Sequence, residues 1–228
     1  MQNKSNKPDT LWSSNITVSI LCFYFFFVLP VTHIFFRTNP WLFKYSDIIY
    51  FFAVVLFALY RFNVNALGFP TKHLKQHLVV GIISGGILLL SLPLLDFGID
   101  LTGLADHELF ANRPQNNILD NLYSLTEYTL VISLIPLIEQ IFFTGIIFQS
   151  LLKKINPILA IYASGVIYTL AGFKLSLGTF GLGITTSFLF KITGSLYASI
   201  LFHMSCATGG VLLENVYPRL TTILGFLF

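Results

Sequence analysis

Residues 128–152 read YTLVISLIPLIEQIFFTGIIFQSLL, 25 residues with a single charged side chain, Glu139, near the middle. A helix needs about 20 mostly apolar residues to cross the hydrocarbon core of a bilayer, and this stretch has them. A charge near the midplane costs at least about 2.5 to 3.5 kcal/mol on insertion scales, so a carboxylate there demands a reason.

Working outward, the same ruler predicts spans over 16–36, with a kink at Pro30, and over 47–62. A third covers 78–95, with Gly81, Gly85 and Gly86 suited to close helix packing; others cover 128–152, 157–173 and 195–213. The stretch 179–190 is short and glycine-rich, and 216–228 is too short to span unaided, so it reads as a re-entrant or interfacial tail. The expectation is an all-α, polytopic transmembrane helical bundle of about six to eight helices. Its parts are a polar tail, 1–15, and one membrane-embedded region, 16–228, carrying an acidic extracytoplasmic loop, 96–127. The first apolar run exceeds a signal-peptide core of about 7 to 15 residues and reads as a retained signal anchor.

Composition agrees. Hydrophobic residues are 55% and charged residues 10% of the 228, where a soluble domain carries about 25% charged. That excludes a cytosolic enzyme, a secreted disulfide scaffold and a disordered chain. The formal charge of +3 is scattered without a basic cluster, so no nucleic-acid partner is expected. Charge reads as topology instead. Arg61, Lys72, Lys75, Lys153 and Lys154 follow alternate spans from Asp96, Asp100, Asp106, Glu108, Asp120 and Glu127, which face a lone Arg113. By the positive-inside rule the N-terminus lies inside, in the cytoplasmic (plasma) membrane, although Lys174 falls on the outer side. Cys22 and Cys206 lie in apolar runs and read as buried small hydrophobes rather than a disulfide.

His203 is the second polar residue at depth, in the run GSLYASILFHMS over 194–205. With Glu139 it makes a candidate pair, a general base beside a hydrogen-bonding or electrophilic partner. Plainer readings stand beside it: a protonated Glu139 bonding a neighbouring helix, and a His203 that only packs. His33, His73, His77 and His107 lie at helix ends or in loops, and no spacing puts three ligands on one face. No metal and no cofactor are expected. His73 and His77 read as a solvated pair facing lipid headgroups.

The stretch 134–210 resembles the CAAX-processing and bacteriocin-processing intramembrane proteases (CPBP or Abi). Weaker support comes from Leu67, Gly68, Phe69 and Pro70, similar to a Leu-Gly pair that many members carry. The family pattern is Glu-Glu-x-x-x-Arg followed by Gly, then Phe-x-x-x-His, then His-x-x-x-Asn. Here Glu139, Gln140, Thr144 and Gly145 stand in the first motif, Tyr168 and Gly172 in the second, and His203 and Ala207 in the third. The resemblance implies that Glu139 activates the attacking water and that His203 stabilises the oxyanion. Gln140 and Thr144 replace an i, i+4 ion pair as a neutral unit, sparing a stranded charge. Gly172 and Ala207 stand where a His and an Asn would help. Lys174 is two residues past Gly172, about 200 degrees away around a helix.

Three readings follow. One is an intramembrane protease, weakened or inactive, that cleaves or binds a hydrophobic or lipidated peptide or protein in the lipid bilayer. Another is a non-catalytic pseudoprotease that serves as a binding or scaffold subunit for a membrane-complex partner. A transporter relaying protons through Glu139 is the third, and no repeat or chain of acids supports it.

Overall fold

The computed structural model describes residues 14–102, 127–172, 176–217 and 220. Among them are seven helices and no strand: α1 (14–35), α2 (Pro40–Arg61), α3 (Leu74–Leu101), α4 (Glu127–Leu152), α5 (Pro157–Ala171), α6 (Leu177–Thr193) and α7 (Leu196–Asn215). The all-α expectation holds. Local chemistry sets the helix ends. Side chains of Asn39, Asn156, Ser176 and Ser195 accept hydrogen bonds from first-turn amides of α2, α5, α6 and α7. Each satisfies a donor that the helix itself leaves unpaired. Gly194, at φ +66°, closes α6 in the left-handed conformation that glycine adopts without steric cost.

Two prolines reshape their helices. Pro30 and Pro136 lack the N–H that an α-helix interior needs, and each follows a π-helical turn, Tyr24–Val28 in α1 and Leu130–Leu134 in α4. The kink expected at Pro30 therefore takes the form of a widened turn before it. A second, longer π-helical segment in α4, Ile141–Phe148, follows directly on Glu139 and Gln140.

Five helices, α1 to α4 and α7, are long and apolar enough to cross a membrane, and the chain is an integral membrane protein. The sequence suggested six convincing spans. The difference is α5, whose 15 residues reach about 22 Å, short of a hydrocarbon core about 30 Å thick. The second span begins at Pro40 rather than 47, because Asn39 and Pro40 start the helix in a polar stretch that hydropathy passes over. Asp47 thus sits inside α2, with Oδ1 shielded and without a hydrogen-bond partner among the described residues. The acidic loop is shorter than 96–127: Asp96 and Asp100 belong to the last turns of α3, and Glu127 opens α4. The intervening 103–126 lie outside the described residues, as do Lys174 and most of 216–228.

The helix bearing Glu139 is the central one. In α1, α2 and α3 only 17% of the most apolar window is buried, against 56% in α4 and 44% in α7. Outward-facing Phe26, Ile34, Ile82, Ile87 and Leu94 leave an apolar perimeter suited to lipid. Cys22 belongs to this perimeter and is exposed, contrary to its reading as a buried residue; Cys206 is half-buried, and both are free. The reason is that α1 covers the bundle on one side alone. His77, expected to be solvated, lies in the first turn of α3 with Nδ1 shielded, while His73 precedes the helix at φ +59°.

Glycines bring the inner helices together. A Cβ at Gly81 would lie 2.9 Å from Leu201 Cβ, and one at Gly85 would overlap Ser205, so α3 and α7 pack backbone to backbone. Gly86, grouped with them in the sequence, faces open space. On the other side of α7, the loop 67–70 is inserted beside α4. Gly68 O accepts a 2.7 Å hydrogen bond from the Leu196 N–H at the start of α7, and fully buried Leu67 lies against Gly145. Gly68 adopts φ +100°, and a Cβ there would meet the Phe190 ring at 2.7 Å. This loop thus ties α4, α6 and α7 at one point, by contacts that only glycine allows at 68.

Candidate active site

Glu139 and Gln140 are consecutive residues of α4, both directed at His203 of α7 from opposite sides of its ring. Gln140 Nε2 is 3.1 Å from His203 Nδ1, and Glu139 Oε2 is 3.7 Å from His203 Nε2. The pair anticipated from depth alone is thus brought together, with 18% of the Glu139 side chain and 8% of the His203 side chain accessible.

Tyr168, which sequence reasoning did not single out as a site residue, bridges them. Its hydroxyl donates to Glu139 Oε2 and lies 3.4 Å from His203 Nε2. A tyrosine in an apolar helix reads as one more packed ring. The available signal was the extra oxygen: a buried phenol needs a polar partner. Tyr168 is carried to the site by the crossing of α5 and α6, where a Cβ on Gly183 would come within 2.9 Å of Gly165 Cα and 3.0 Å of Tyr168 Cβ. Its ring also packs edge-on against Phe143, which in turn contacts Phe51 of α2.

The neutral pair at 140 and 144 is a hydrogen-bonded unit. Thr144 Oγ1 donates to Gln140 Oε1 at 2.8 Å, and both side chains are buried. Replacing an ion pair as a unit therefore leaves no lone charge and gives each polar group a partner.

The positions that depart from the pattern are equally clear. Gly172 caps the C-terminal end of α5 at φ −73°, is exposed, and among the described residues has only the carbonyl oxygens of Thr169 and Tyr168 near its would-be Cβ, both at 3.9 Å. Tyr24 of α1 donates to the carbonyl of the preceding Ala171 at 2.7 Å, which fixes this end of the helix. Ala207 lies one turn beyond His203 on α7 and offers no donor. Glu139 Oε1 takes no hydrogen bond from the described residues, so the carboxylate is anchored through one oxygen and open at the other. Among the described residues no group of three His, Cys, Asp or Glu side chains could hold a metal ion.

Residues 121–209 match the family described as type II CAAX prenyl endopeptidase Rce1-like. That segment is similar to the Rce1-like family. It spans Glu139, Gln140, Tyr168 and His203, so every side chain of the bridged pair lies within the match. No curated protein and no solved structure matches the chain. The match agrees with the motif resemblance over this segment, which is similar to CAAX protease-like intramembrane proteins. The matched segment excludes α1, α2 and α3, yet Gly68 and Tyr24 from outside it hold the ends of α7 and α5.

Proposed function

We propose that this protein is a slow glutamate-dependent intramembrane endopeptidase that cleaves a hydrophobic or lipidated peptide. The observation that carries the reading is the 3.7 Å approach of His203 Nε2 to Glu139 Oε2, with the Tyr168 hydroxyl between them. Glu139, through its open oxygen, takes a proton from water as the water oxygen attacks the scissile carbonyl carbon. The electron pair of the carbonyl moves onto its oxygen, and the His203 ring N–H stabilises that charge. The proton held by Glu139 then passes to the amide nitrogen as the C–N bond breaks, leaving a carboxylic acid and an amine. A general base of this kind contributes about 100 to 10,000-fold, and the His203 donor adds to it.

The second reading, a pseudoprotease that binds a peptide or membrane partner without cleaving it, rests on Gly172 and Ala207, which have no polar side chain to offer. The orientation we propose places the N-terminus on the cytoplasmic side of the plasma membrane, on the distribution of Lys and Arg between loops.

One experiment separates the two readings. The protein in lipid nanodiscs is incubated with membrane-embedded peptides, including a farnesylated CAAX peptide. The protease reading expects cleavage that is lost in Glu139→Gln and in His203→Ala but kept in Ile192→Ala, whose side chain is 59% exposed on α6. Peptide binding without cleavage, unchanged in Glu139→Gln, would establish the pseudoprotease instead.

A further inference from the structure

Three buried polar side chains of α4 and α7 form an ordered chain whose direction can be read from donor and acceptor chemistry. Thr144 Oγ1 donates to Gln140 Oε1, which turns the Gln140 amide nitrogen toward His203 Nδ1 at 3.1 Å. An amide nitrogen only donates, so in this orientation a neutral His203 ring accepts at Nδ1 and carries its proton on Nε2. On that side Nε2 faces the Tyr168 oxygen at 3.4 Å and Glu139 Oε2 at 3.7 Å. The Tyr168 proton is committed to Glu139, so the Tyr168 oxygen is free to accept. Each donor in the series Thr144, Gln140, His203, Tyr168 meets one acceptor, and the series ends on a carboxylate.

With Glu139 ionised, the opposite arrangement fails at that end. With the Gln140 amide flipped, Nδ1 would carry the proton, and the bare Nε2 lone pair would face a carboxylate oxygen and a phenol oxygen whose one proton is already given away. Two acceptors facing each other without a proton, at sites 8% and 18% accessible, are costly.

We propose that Thr144 and Gln140 are positioning residues, a neutral relay that holds His203 as the Nε2–H tautomer and aims its proton at the space shared with Tyr168 and Glu139. The proposal deepens the protease reading and rests on it for its catalytic consequence, since an oxyanion forming beside Glu139 needs a donor there and not a lone pair. It also gives a physical reason for the neutral residues at 140 and 144. A carboxylate at 140 would accept from Nδ1 and leave the lone pair on Nε2, unless a cation one turn away offset it, and Thr144 is not one.

The test reads the tautomer directly. Protein labelled with 15N-histidine is reconstituted in nanodiscs, and the His203 signals are assigned by their loss in His203→Gln. Wild type should show a protonated Nε2 and a bare Nδ1. Gln140→Glu should move the proton to Nδ1, and Thr144→Val, which frees the amide to flip while filling the same space, should give a mixture of tautomers. In the cleavage assay Gln140→Glu should lower kcat about 100-fold with KM within about twofold, as for loss of one oxyanion donor. A wild-type Nδ1–H tautomer, or a tautomer unchanged in both variants, overturns the relay. An Nε2–H tautomer in a protein that cleaves nothing leaves the relay standing and removes the protease reading, so the two failures are distinguishable.

Discussion

The hydroxyl of Tyr168 donates a hydrogen bond to Glu139 Oε2, joining α5 to α4 at the one carboxylate near the middle of the central helix. This bond holds one carboxylate oxygen and leaves the other open.

Tyr168→Phe removes the hydroxyl and restores the aromatic residue of the pattern. A hydrogen bond to a charged group contributes about 1.5 to 3 kcal/mol. The expected outcome is lower thermal stability of the detergent-solubilised protein, with slower peptide cleavage. An unchanged melting temperature would show that Glu139 does not depend on this donor.

Gly172→His together with Ala207→Asn rebuilds the two missing helpers. At Gly172 the backbone is in an ordinary helical conformation and a Cβ meets nothing nearer than 3.9 Å among the described residues, so the backbone accepts a side chain there. Cleavage of a farnesylated peptide should rise by about 100-fold or more, the usual worth of one such donor, and the gain should vanish when Glu139→Gln is added. No gain in the double variant would mean that these side chains are not what limits turnover.

Gly183→Ala places a methyl within 3.0 Å of both Gly165 and Tyr168, at the crossing that positions the phenol. Gly68→Ala adds backbone strain at φ +100° to a clash with Phe190. Each should destabilise the protein by about 1 to 3 kcal/mol. Gly86→Ala, in open space on α3, should be neutral or slightly stabilising. Thermal unfolding of the three variants side by side checks the ranking, and equal melting temperatures would contradict the packing described.

Lys44 and Glu127 form an ion pair that joins the start of α2 to the start of α4, with 52% and 46% of their side chains accessible. Such exposed pairs are screened by salt. Glu127→Gln is expected to leave stability nearly unchanged, and the small effect should disappear in high salt. A large, salt-independent loss would place the pair in a shielded site.

Part of the site is legible in the amino-acid sequence. Glu139 and His203 stand out there because a polar residue in the middle of an apolar run is costly, and cost points to function. The substitutions at 140, 144, 172 and 207 are visible by comparison with a motif. Tyr168 is hidden because its ring satisfies every expectation of a packing residue and only its oxygen does otherwise. The Gln140 to His203 bond is hidden because it joins residues 63 apart in sequence.

The amino-acid sequence by itself determined the solvent and the class of fold. Runs of about 20 apolar residues have no stable state in water, and in lipid the backbone must satisfy its own hydrogen bonds, which leaves helices. Tertiary structure alone decided which helix is central, that α5 is too short to span, and which faces of the glycines meet. Those outcomes depend on close approach between distant segments, as when Gly183 meets Gly165 or Gly68 receives the Leu196 amide, and no local pattern encodes such distances. The same holds for the site: the sequence supplied a carboxylate and an imidazole, and packing supplied the phenol between them.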